Sequence, residues 1–469
     1  MKVFRIDQSR CKTCWHCEDG SSCAVPLSKE YELFRSEQKI AAQDPTAAGQ
    51  QPQKTPIPPC SAACPANICV QGYIALIAAG RYEEALRLIR DRIPFPSICG
   101  GVCPHPCEDE CIRGEYDEPI AINALKRFVA ERETEEEREQ YIKELKGKIT
   151  KKDKRVAVIG AGPAGLTCAH DLVLRGYDVT VFEALPAPGG MMTVGIPEYR
   201  LPREILTGEI EFIQALGVEI VTGVRVGQDI CLEELFTRGY QAIFIGAGTH
   251  QGIKLGIAGE ESPGVLDALS FLREINLGEK NVKVGQRVAV IGGGDAAIDA
   301  ARSARRLGAE DVSILYRRSR EEMPAHGEQV EAAEEEGVEL EFLAAPLRFI
   351  ANTQGVEAVE CQRMTLGEPD ETGRRRPVPI AGSEFSVEAD TVIVAIGQKS
   401  DLSFVAEGSP LELAEGGRIK VDPATGETSV PQIFAGGDVV TGPQTVIHAI
   451  AAGRRAAWGI DLRLSGKGA

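Results

Sequence analysis

The feature that most constrains the fold is a strand–turn–helix pattern that occurs twice. The apolar, β-branched run RVAVIG begins at residue 155 and again at residue 287. Each run leads into closely spaced glycines and then into a helical pattern. This order of elements is typical of a parallel sheet that binds dinucleotides. We therefore predict an α/β fold with two Rossmann-like nucleotide-binding domains.

The first turn predicts a site for the pyrophosphate of FAD. Its residues are Gly160, Gly162, Pro163, Ala164 and Gly165. The first glycine suits the tight turn, the second lets the backbone approach the phosphates, and the third lets helix and strand pack closely, while the helix N-terminus stabilises the anion. Glu183 ends the next strand, where its carboxylate can accept hydrogen bonds from both ribose hydroxyls. A carboxylate there would repel a 2′-phosphate, so an uncharged ribose is expected.

The second turn predicts a nicotinamide nucleotide site. Its residues are Gly292, Gly294, Asp295 and Ala297, with alanine in place of the third glycine. The strand that follows ends in Arg317 and Arg318 instead of an acid. Paired guanidiniums can bind a 2′-phosphate bidentately, which predicts NADP(H). If these arginines are only solvated surface charge, NAD(H) would bind instead.

Two further segments fit a flavin. A glycine-rich loop that can approach a flat ring contains Gly190, Met191, Gly195 and Ile196. Near the end of the chain, Gly437 and Asp438 follow an apolar strand, and Thr445 precedes a helical pattern. The aspartate suits a ribitol hydroxyl, and the helix N-terminus suits the electron-rich edge of the flavin. Because these segments lie on both sides of the second turn, the NAD(P)H domain is predicted to be inserted into a discontinuous FAD domain.

The chain also contains 14 cysteines, and most of them precede residue 112. Disulfides are improbable in a reducing compartment, so metal, iron–sulfur or redox chemistry is expected. Four cysteines form an N-terminal group: Cys11, Cys14, Cys17 and Cys23. The spacing of the first three is that of ferredoxins, but a four-thiolate zinc site or unliganded thiols would also fit. Cys168, Cys231 and Cys361 lie singly in regular patterns and are expected to be buried structural thiols.

The remaining cysteines alternate with amphipathic helical patterns and predict a helical iron–sulfur domain. Its candidate ligands are Cys60, Cys64, Cys99, Cys103, Cys107 and Cys111. The predicted organisation is a cysteine unit at 1–42, a linker at 43–59, the helical domain at 60–150, the FAD domain at 151–255 and 391–469, and the NAD(P)H domain at 256–390. A charge run within 131–154 is expected to be a solvated helix.

Composition excludes several classes of partner. The chain has 52 basic and 69 acidic residues, a net charge of −17, and such a surface repels nucleic acid. No run approaches the roughly 18 apolar residues of a membrane helix, and the N-terminus lacks the apolar core of a signal peptide. We expect a cytoplasmic protein. No catalytic acid–base residue is predicted, since hydride transfer onto a flavin needs only stacking geometry and a water-poor pocket.

Longer motifs make the chain resemble the small-subunit family of bacterial glutamate synthase. The most specific are ICGGVCPHPCEDECIRG, GGMMTVGIPEYRLP, GGGDAAIDAARSARRLGA and FAGGDVVTGPQTVIHAIAAG. The family includes the large subunit of NADH-dependent ferredoxin:NADP oxidoreductase and the N-terminal half of dihydropyrimidine dehydrogenase. The resemblance, over about residues 56–465, implies a disulfide-reductase-like arrangement in which hydride passes from NAD(P)H to FAD. Single electrons then pass through [4Fe–4S] clusters to a partner subunit or ferredoxin in a hetero-oligomer.

The cysteines depart from the family pattern. The family's first run is CxxCxxxxCxxxCP, and this chain has only its last two members, Cys60 and Cys64. The resemblance implies one flavin-proximal cluster on Cys64, Cys103 and Cys107, with a fourth ligand that can be Glu or Gln. A second, distal cluster would be left with Cys60 and Cys111, with Cys69 and Cys99 as further candidates. One or two clusters are therefore expected in this domain.

The final electron acceptor is left open by the sequence. The chain could be a glutamate synthase small subunit, a ferredoxin:NADP oxidoreductase subunit, or a diaphorase module for a hydrogenase, formate dehydrogenase or aldehyde dehydrogenase. A hypothesis of another class is a zinc- and nucleotide-binding regulatory or assembly module.

Overall fold

The computed structural model describes residues 57–278, 282–371, 373–405 and 408–466. The predicted N-terminal unit with Cys11, Cys14, Cys17 and Cys23 lies outside these residues, as does nearly all of the predicted linker. Within the described ranges, no helix is both long and apolar enough to cross a membrane.

The first described part is helical. Its helices are α1 (Pro59–Ala63), α2 (Val70–Ala78), α3 (Tyr82–Arg90), α4 (Pro96–Val102), α5 (Pro106–Asp109), α6 (Ile122–Ala130) and α7 (Glu135–Lys148), with a 3₁₀ turn at Ile112–Glu115. Amphipathic spacing explains the packing of α3, which buries Ala85, Leu86, Leu88 and Ile89. The predicted charged helix is α7, which buries no residue and begins with a capping box between Thr134 and Glu137.

A parallel five-stranded sheet follows, with the order β17-β4-β1-β2-β3. Its strands are β1 (Arg155–Ile159), β2 (Asp178–Glu183), β3 (Glu219–Thr222), β4 (Ala242–Ile245) and β17 (Ile433–Ala435). The helices of this part are α8 (Pro163–Leu174), α9 (Met191–Val194), α10 (Arg203–Ala215), α11 (Leu232–Thr237), α15 (Asp438–Thr441) and α16 (Val446–Leu464). Since β17 comes from the far end of the chain and pairs with β4, the first sheet is built from two separated segments.

A second parallel five-stranded sheet has the order β6-β13-β7-β8-β9. Its strands are β6 (Val265–Asp267), β7 (Arg287–Ile291), β8 (Asp311–Tyr316), β9 (Val338–Phe342) and β13 (Thr391–Val394). Its helices are α12 (Ala268–Asn276), α13 (Asp295–Arg306) and α14 (Gly327–Glu335), and a 3₁₀ turn lies at Arg320–Glu322. An antiparallel sheet packs beside it, formed by β10 (Ala344–Ala351), β11 (Val356–Pro369) and β12 (Arg375–Glu388). Two short pairs complete the fold: β5 (Gln251–Gly252) with β14 (Gln398–Lys399), and β15 (Leu413–Ala414) with β16 (Arg418–Ile419).

One predicted domain boundary needs correction. The second FAD segment is predicted to begin at residue 391. In the structure, however, Thr391–Val394 pairs with both β6 and β7 in the second sheet. The NAD(P)H domain therefore extends past residue 390. An apolar strand pattern alone does not indicate which of two parallel sheets the strand joins, because both sheets require the same residue types.

The helical domain and the first sheet share one hydrophobic core. Phe95 and Ile98 of the helical part lie in the same buried cluster as Phe212 of α10 and Ile447 of α16. A shared apolar core fixes two domains relative to each other more firmly than a polar interface does. The cysteine-bearing helices are thereby held against the FAD-type sheet.

Candidate functional site

A cleft opens at the carboxyl ends of β1 and β2, where a Rossmann-type sheet binds its ligand. Ten of the residues predicted to bind FAD line it: Gly160, Gly162, Pro163, Ala164, Glu183, Gly190, Met191, Gly437, Asp438 and Thr445. Of the other predicted residues, Gly165 lies in α8, and Gly195 and Ile196 follow α9; these three are not among the residues that line the cleft.

Close backbone approaches explain the glycines of this cleft. A Cβ on Gly165 would lie 1.9 Å from the carbonyl oxygen of Gly160, so α8 can pack on its strand only without a side chain there. Gly190 has φ of 56°, and a Cβ on it would lie 2.8 Å from Cα of Gly162. The two glycine-rich loops thus meet backbone to backbone and leave a surface without side chains, which suits a pyrophosphate and a flat ring.

Two helices direct their N-termini into the cleft. Gly162 precedes α8 and Thr445 precedes α16, and both residues line the cleft. The two helices pack so closely that a Cβ on Gly453 would lie 2.2 Å from the carbonyl oxygen of Ala164. The unpaired N–H groups and positive dipole ends of two helices therefore face the same space, and such an arrangement binds phosphate and other electron-rich groups.

Two carboxylates lie in the cleft, with Glu183 buried and Asp438 half-buried. Glu183 accepts hydrogen bonds from the backbone N–H groups of Ala161 at 2.7 Å and Leu185 at 2.8 Å, and burial raises its pKa. Burial also raises the pKa of Asp438 to about 6. Each carboxylate oxygen can accept more than one hydrogen bond. Both side chains can therefore still accept bonds from ribose or ribitol hydroxyls, and these bonds would offset the cost of their burial.

The cleft also contains residues that the motifs did not indicate. Among them are Arg225, His250, Arg273, Asp401 and Phe404. Burial, followed by the charges of Arg273 and Arg225, lowers the pKa of His250 to about 4, so this imidazole is neutral near pH 7. Arg273 lies in α12 and the others lie in loops, and no glycine-rich or strand-end pattern in the sequence marks any of them.

The second glycine-rich turn has the geometry of a nucleotide-binding turn. Gly292 has φ of 146°, and a Cβ on it would lie 2.3 Å from the carbonyl oxygen of Ala395. Gly294 precedes α13, and a Cβ added there would meet nothing within 4 Å. Asp295 begins α13 and faces His326, with 3.4 Å between Oδ2 and Nδ1. Ala297 is fully buried. The open N-terminus of α13 can accept a phosphate.

The two arginines predicted to bind a 2′-phosphate differ in their surroundings. Arg317 is exposed at the end of β8. Arg318 is buried; its guanidinium pairs with Asp370 at 2.7 Å and donates to the carbonyl oxygen of Arg375 at 2.8 Å. The assignment of both arginines to a 2′-phosphate stays a prediction, and Arg318 already has an acidic partner in the residue that follows β11.

Four thiols of the helical domain gather around Tyr73. Burial, followed by the negative charges of Cys107, Cys64, Cys60 and Cys103, raises the pKa of the Tyr73 hydroxyl well above its usual range. That hydroxyl donates to the carbonyl oxygen of Ile122 at 3.2 Å. These thiols come from α1, α5 and the residues that end α1 and α4.

The described residues contain no group of three His, Cys, Asp or Glu side chains that could hold a single metal ion. This absence does not conflict with the four thiols around Tyr73. The four thiolates of a cubane bind different iron atoms and so surround a volume instead of meeting at one point. Four thiolates are the donor set of a [4Fe–4S] cluster.

The other predicted ligands of this domain differ in their surroundings. Cys99 is fully buried inside α4, and burial raises the pKa of its thiol. Cys111, half-buried, precedes the 3₁₀ turn. Burial raises the pKa of Cys69. The charges of Cys103 and Cys64 also act on the Cys99 thiol, so Cys99 lies near that group although it belongs to α4.

Cys168, Cys231 and Cys361 are free thiols. Cys168 and Cys361 are buried, as expected for structural thiols, but Cys231 is exposed. The expectation for Cys231 is therefore wrong; the residue precedes α11 at the surface instead of lying inside an element.

Two family models match the chain. The pyridine nucleotide-disulphide oxidoreductase model covers residues 154–453, which is more than half of the sequence. The chain belongs to this family. The model of dihydropyrimidine dehydrogenase domain II, 4Fe-4S cluster, covers residues 37–138. Together they confirm the expected fold, the oxidoreductase class and the cofactors FAD, NADP(H) and [4Fe–4S].

Curated relatives place the chain among the iron–sulfur members of the pyridine nucleotide-disulphide oxidoreductases. The glutamate synthase [NADPH] small chain of Escherichia coli is 38% identical, over 86% of this chain and 88% of that protein. The NADP(+)-dependent formate dehydrogenase subunit beta of Moorella thermoacetica is 48% identical over 91% of this chain. The NADPH-Fe(3+) oxidoreductase subunit beta of Geobacter sulfurreducens is 43% identical over 85%. The chain spans 62% of the length of each of these last two relatives. The predicted resemblance to the glutamate synthase small-subunit family is confirmed.

Two solved structures share the fold. Mycobacterium tuberculosis FprA in complex with NADPH superposes with a TM-score of 0.57 at 19% identity, covering 67% of this chain and 85% of that one. Thioredoxin reductase of T. acidophilum gives a TM-score of 0.50 at 21% identity, covering 66% and 98%. Both likenesses support the fold of the two nucleotide-binding domains.

Proposed function

We propose that this chain is the electron-transfer subunit of a larger complex, in which electrons move between NADPH and a partner protein. When bound, FAD exchanges a hydride with the nicotinamide and single electrons with the iron–sulfur cluster. The observation that carries the proposal is the group of four thiols around Tyr73, in a domain that shares its hydrophobic core with the FAD-type sheet.

The chain's own residues bind and orient the two nucleotides. The glycine turn at Gly160 and the N-terminus of α8 would hold the FAD pyrophosphate, Glu183 the adenosine ribose, and Asp438 the ribitol. The N-terminus of α13 would hold the NADPH pyrophosphate, and the exposed Arg317 its 2′-phosphate. Two geometric features support these roles. Each turn has an open glycine backbone, and β2 ends in the acid Glu183 whereas β8 is followed by the cation Arg317.

We propose Cys60, Cys64, Cys103 and Cys107 as the ligands of one cluster. The set differs from the one implied by the family resemblance, in which Cys60 would belong to a distal cluster. Helix α1, which carries Cys60, packs against α5, which carries Cys107. Four thiolates satisfy one cubane without a Glu or Gln ligand. Cys111 and Cys69 are left outside the set, so we propose a single cluster in this domain.

The identity of the partner rests on the relatives. Those described above are named as subunits or as a small chain, which supports a protein partner. We propose a redox partner subunit or a ferredoxin as acceptor, with the glutamate synthase large subunit as the alternative. We also propose a reducing, cytoplasmic environment, with which the free thiols of Cys64, Cys103 and Cys107 agree.

Metal analysis of anaerobically purified protein tests this proposal. Iron and acid-labile sulfide should fall in Cys60→Ser, Cys64→Ser, Cys103→Ser and Cys107→Ser, while FAD content stays constant. Cys111→Ser and Cys69→Ser are the matched controls and should keep the wild-type iron content. Iron lost from one control to the same extent would overturn the ligand set. Zinc without iron in the wild type would overturn the electron-transfer function.

A further inference from the structure

A lysine side chain is buried in the iron–sulfur domain without an acidic partner. Lys126 lies in α6 and is only 6% exposed. No salt bridge of the described residues includes it, whereas the adjacent and exposed Arg127 pairs with Glu131 at 2.6 Å. Lysines are almost never fully buried unless paired, because the desolvation of an ammonium is costly. A charge at this position therefore requires a compensating group.

Helix α6 is anchored to both cysteine-bearing segments. The side chain of Asn123 donates to the carbonyl oxygen of Gly100 in α4 at 3.0 Å, and the backbone N–H of Asn123 donates to Glu108 in α5 at 2.7 Å. The contact with α4 is close, since a Cβ on Gly100 would lie 2.8 Å from Cα of Arg127. Lys126 follows Asn123 by three residues and so lies on the same side of the helix.

The electrostatics of the thiols agree with this placement. Burial raises the pKa of the Cys107 thiol to about 12, and the charge of Lys126 is the largest influence in the opposite direction. For Cys99, burial again raises the pKa, and Lys126 again opposes the rise. The charge of Lys126 therefore acts on thiols of both α4 and α5, together with the carboxylates of Glu209 at Cys99 and Glu108 at Cys107.

We propose that Lys126 is the counter-charge of the thiolate site, and that its ammonium both stabilises the ligated thiolates and raises the reduction potential of the cluster they hold. The inference rests on the proposed function. Reduction adds one negative charge to the cluster, and a nearby cation in a poorly hydrated interior favours the more negative state. Lys126 is a positioning residue in this account, since it holds a charge beside the ligands without being one.

Potentiometric titration followed by electron paramagnetic resonance tests the inference. The signal that Cys103→Ser abolishes identifies the cluster of the helical domain. Its potential should shift to a more negative value in Lys126→Gln and Lys126→Met and stay near the wild-type value in Lys126→Arg, which keeps the charge. Arg127→Gln is the control, because it removes a charge from the same helix at an exposed position. It should leave the potential unchanged.

Iron content provides the second measurement if the neutral variants assemble poorly. Loss of iron in Lys126→Gln and Lys126→Met, with retention in Lys126→Arg, supports a requirement for the charge. An unchanged potential in iron-loaded Lys126→Gln overturns the inference, as does equal loss of iron in all three variants. Absence of the iron–sulfur signal from the wild type would instead refute the proposed function itself.

Discussion

The carboxylate of Glu209 accepts a hydrogen bond of 2.8 Å from the backbone N–H of Ser97. Its second oxygen accepts one of 3.1 Å from the N–H of Ile98. Glu209 belongs to α10 beside the FAD-type sheet, and the two amides begin α4, which leads to Cys99 and Cys103. A buried acid from the flavin side thus satisfies two otherwise unpaired amides of the cysteine-bearing helix. This contact fixes the cluster segment to the flavin domain.

The titration of Glu209 predicts a pH-dependent stability. Burial raises its pKa in the folded protein to about 7, whereas an unfolded glutamate titrates near about 4.3. Between these values the folded state keeps a proton that the unfolded state has lost. The stabilisation by protonated Glu209 is therefore complete below the pKa of the unfolded state. It is lost as the pH rises through the pKa of the folded state, with a total on the order of 3 kcal/mol.

Thermal unfolding of wild type and Glu209→Gln between pH 4.5 and 7.5 measures this effect. The stability advantage of the wild type over the variant should shrink as the pH rises. Glu211→Gln, at an exposed position of the same helix, serves as the control and should show a constant difference. A constant difference for Glu209→Gln as well would contradict the assigned titration.

The Arg317 and Arg318 pair predicts two separate phenotypes. Replacing Arg317 with Gln should raise the Michaelis constant for NADPH about tenfold or more while that for NADH changes little, since a hydrogen bond to a charged group contributes about 1.5–3 kcal/mol. Replacing Arg318 with Gln should instead destabilise the fold by about 1.5–3 kcal/mol, because it removes the buried guanidinium with its ion pair to Asp370 and its hydrogen bond to the carbonyl oxygen of Arg375. Steady-state kinetics with both nucleotides, and thermal unfolding, separate the two. An equal effect of Arg317→Gln on NADPH and NADH would refute the phosphate contact.

Gly190 provides a test of the FAD cleft. Alanine there would strain a backbone with φ of 56° by about 1–3 kcal/mol and would place Cβ 2.8 Å from Cα of Gly162. Gly190→Ala should therefore retain less FAD, measured from the flavin absorbance per polypeptide. Gly147→Ala in α7 meets nothing within 4 Å and should keep full FAD content with slightly higher stability. Full flavin content in Gly190→Ala would show that the two loops tolerate a side chain.

The parts of the molecule that the sequence predicts well are local in the chain. A glycine turn between an apolar strand and a helix specifies its own geometry, so Gly160, Gly165 and Gly292 could be assigned from spacing alone. The failures are non-local. Arg318 meets an acid 52 residues away, just past the end of β11, and no pattern near Arg318 indicates that contact.

The cysteine domain illustrates the same limit. Spacing marks the cysteines as ligands, but it does not indicate which of them meet in space. The grouping of Cys60 and Cys64 with Cys103 and Cys107 depends on how α1 packs against α5. Lys126 lies in an ordinary amphipathic helix, and only the packing of that helix against α4 and α5 places it beside the thiols.

Anaerobic reduction by NADPH tests the central claim most directly. Wild-type protein mixed with NADPH should lose its oxidised flavin absorbance and then develop the electron paramagnetic resonance signal of a reduced [4Fe–4S] cluster. Cys103→Ser should still lose the flavin absorbance at the wild-type rate but should not develop the signal assigned to the helical domain. If the cluster of Cys103→Ser is reduced as in the wild type, or if NADPH leaves the flavin oxidised, the proposed route from NADPH through FAD to the four-thiol site is contradicted.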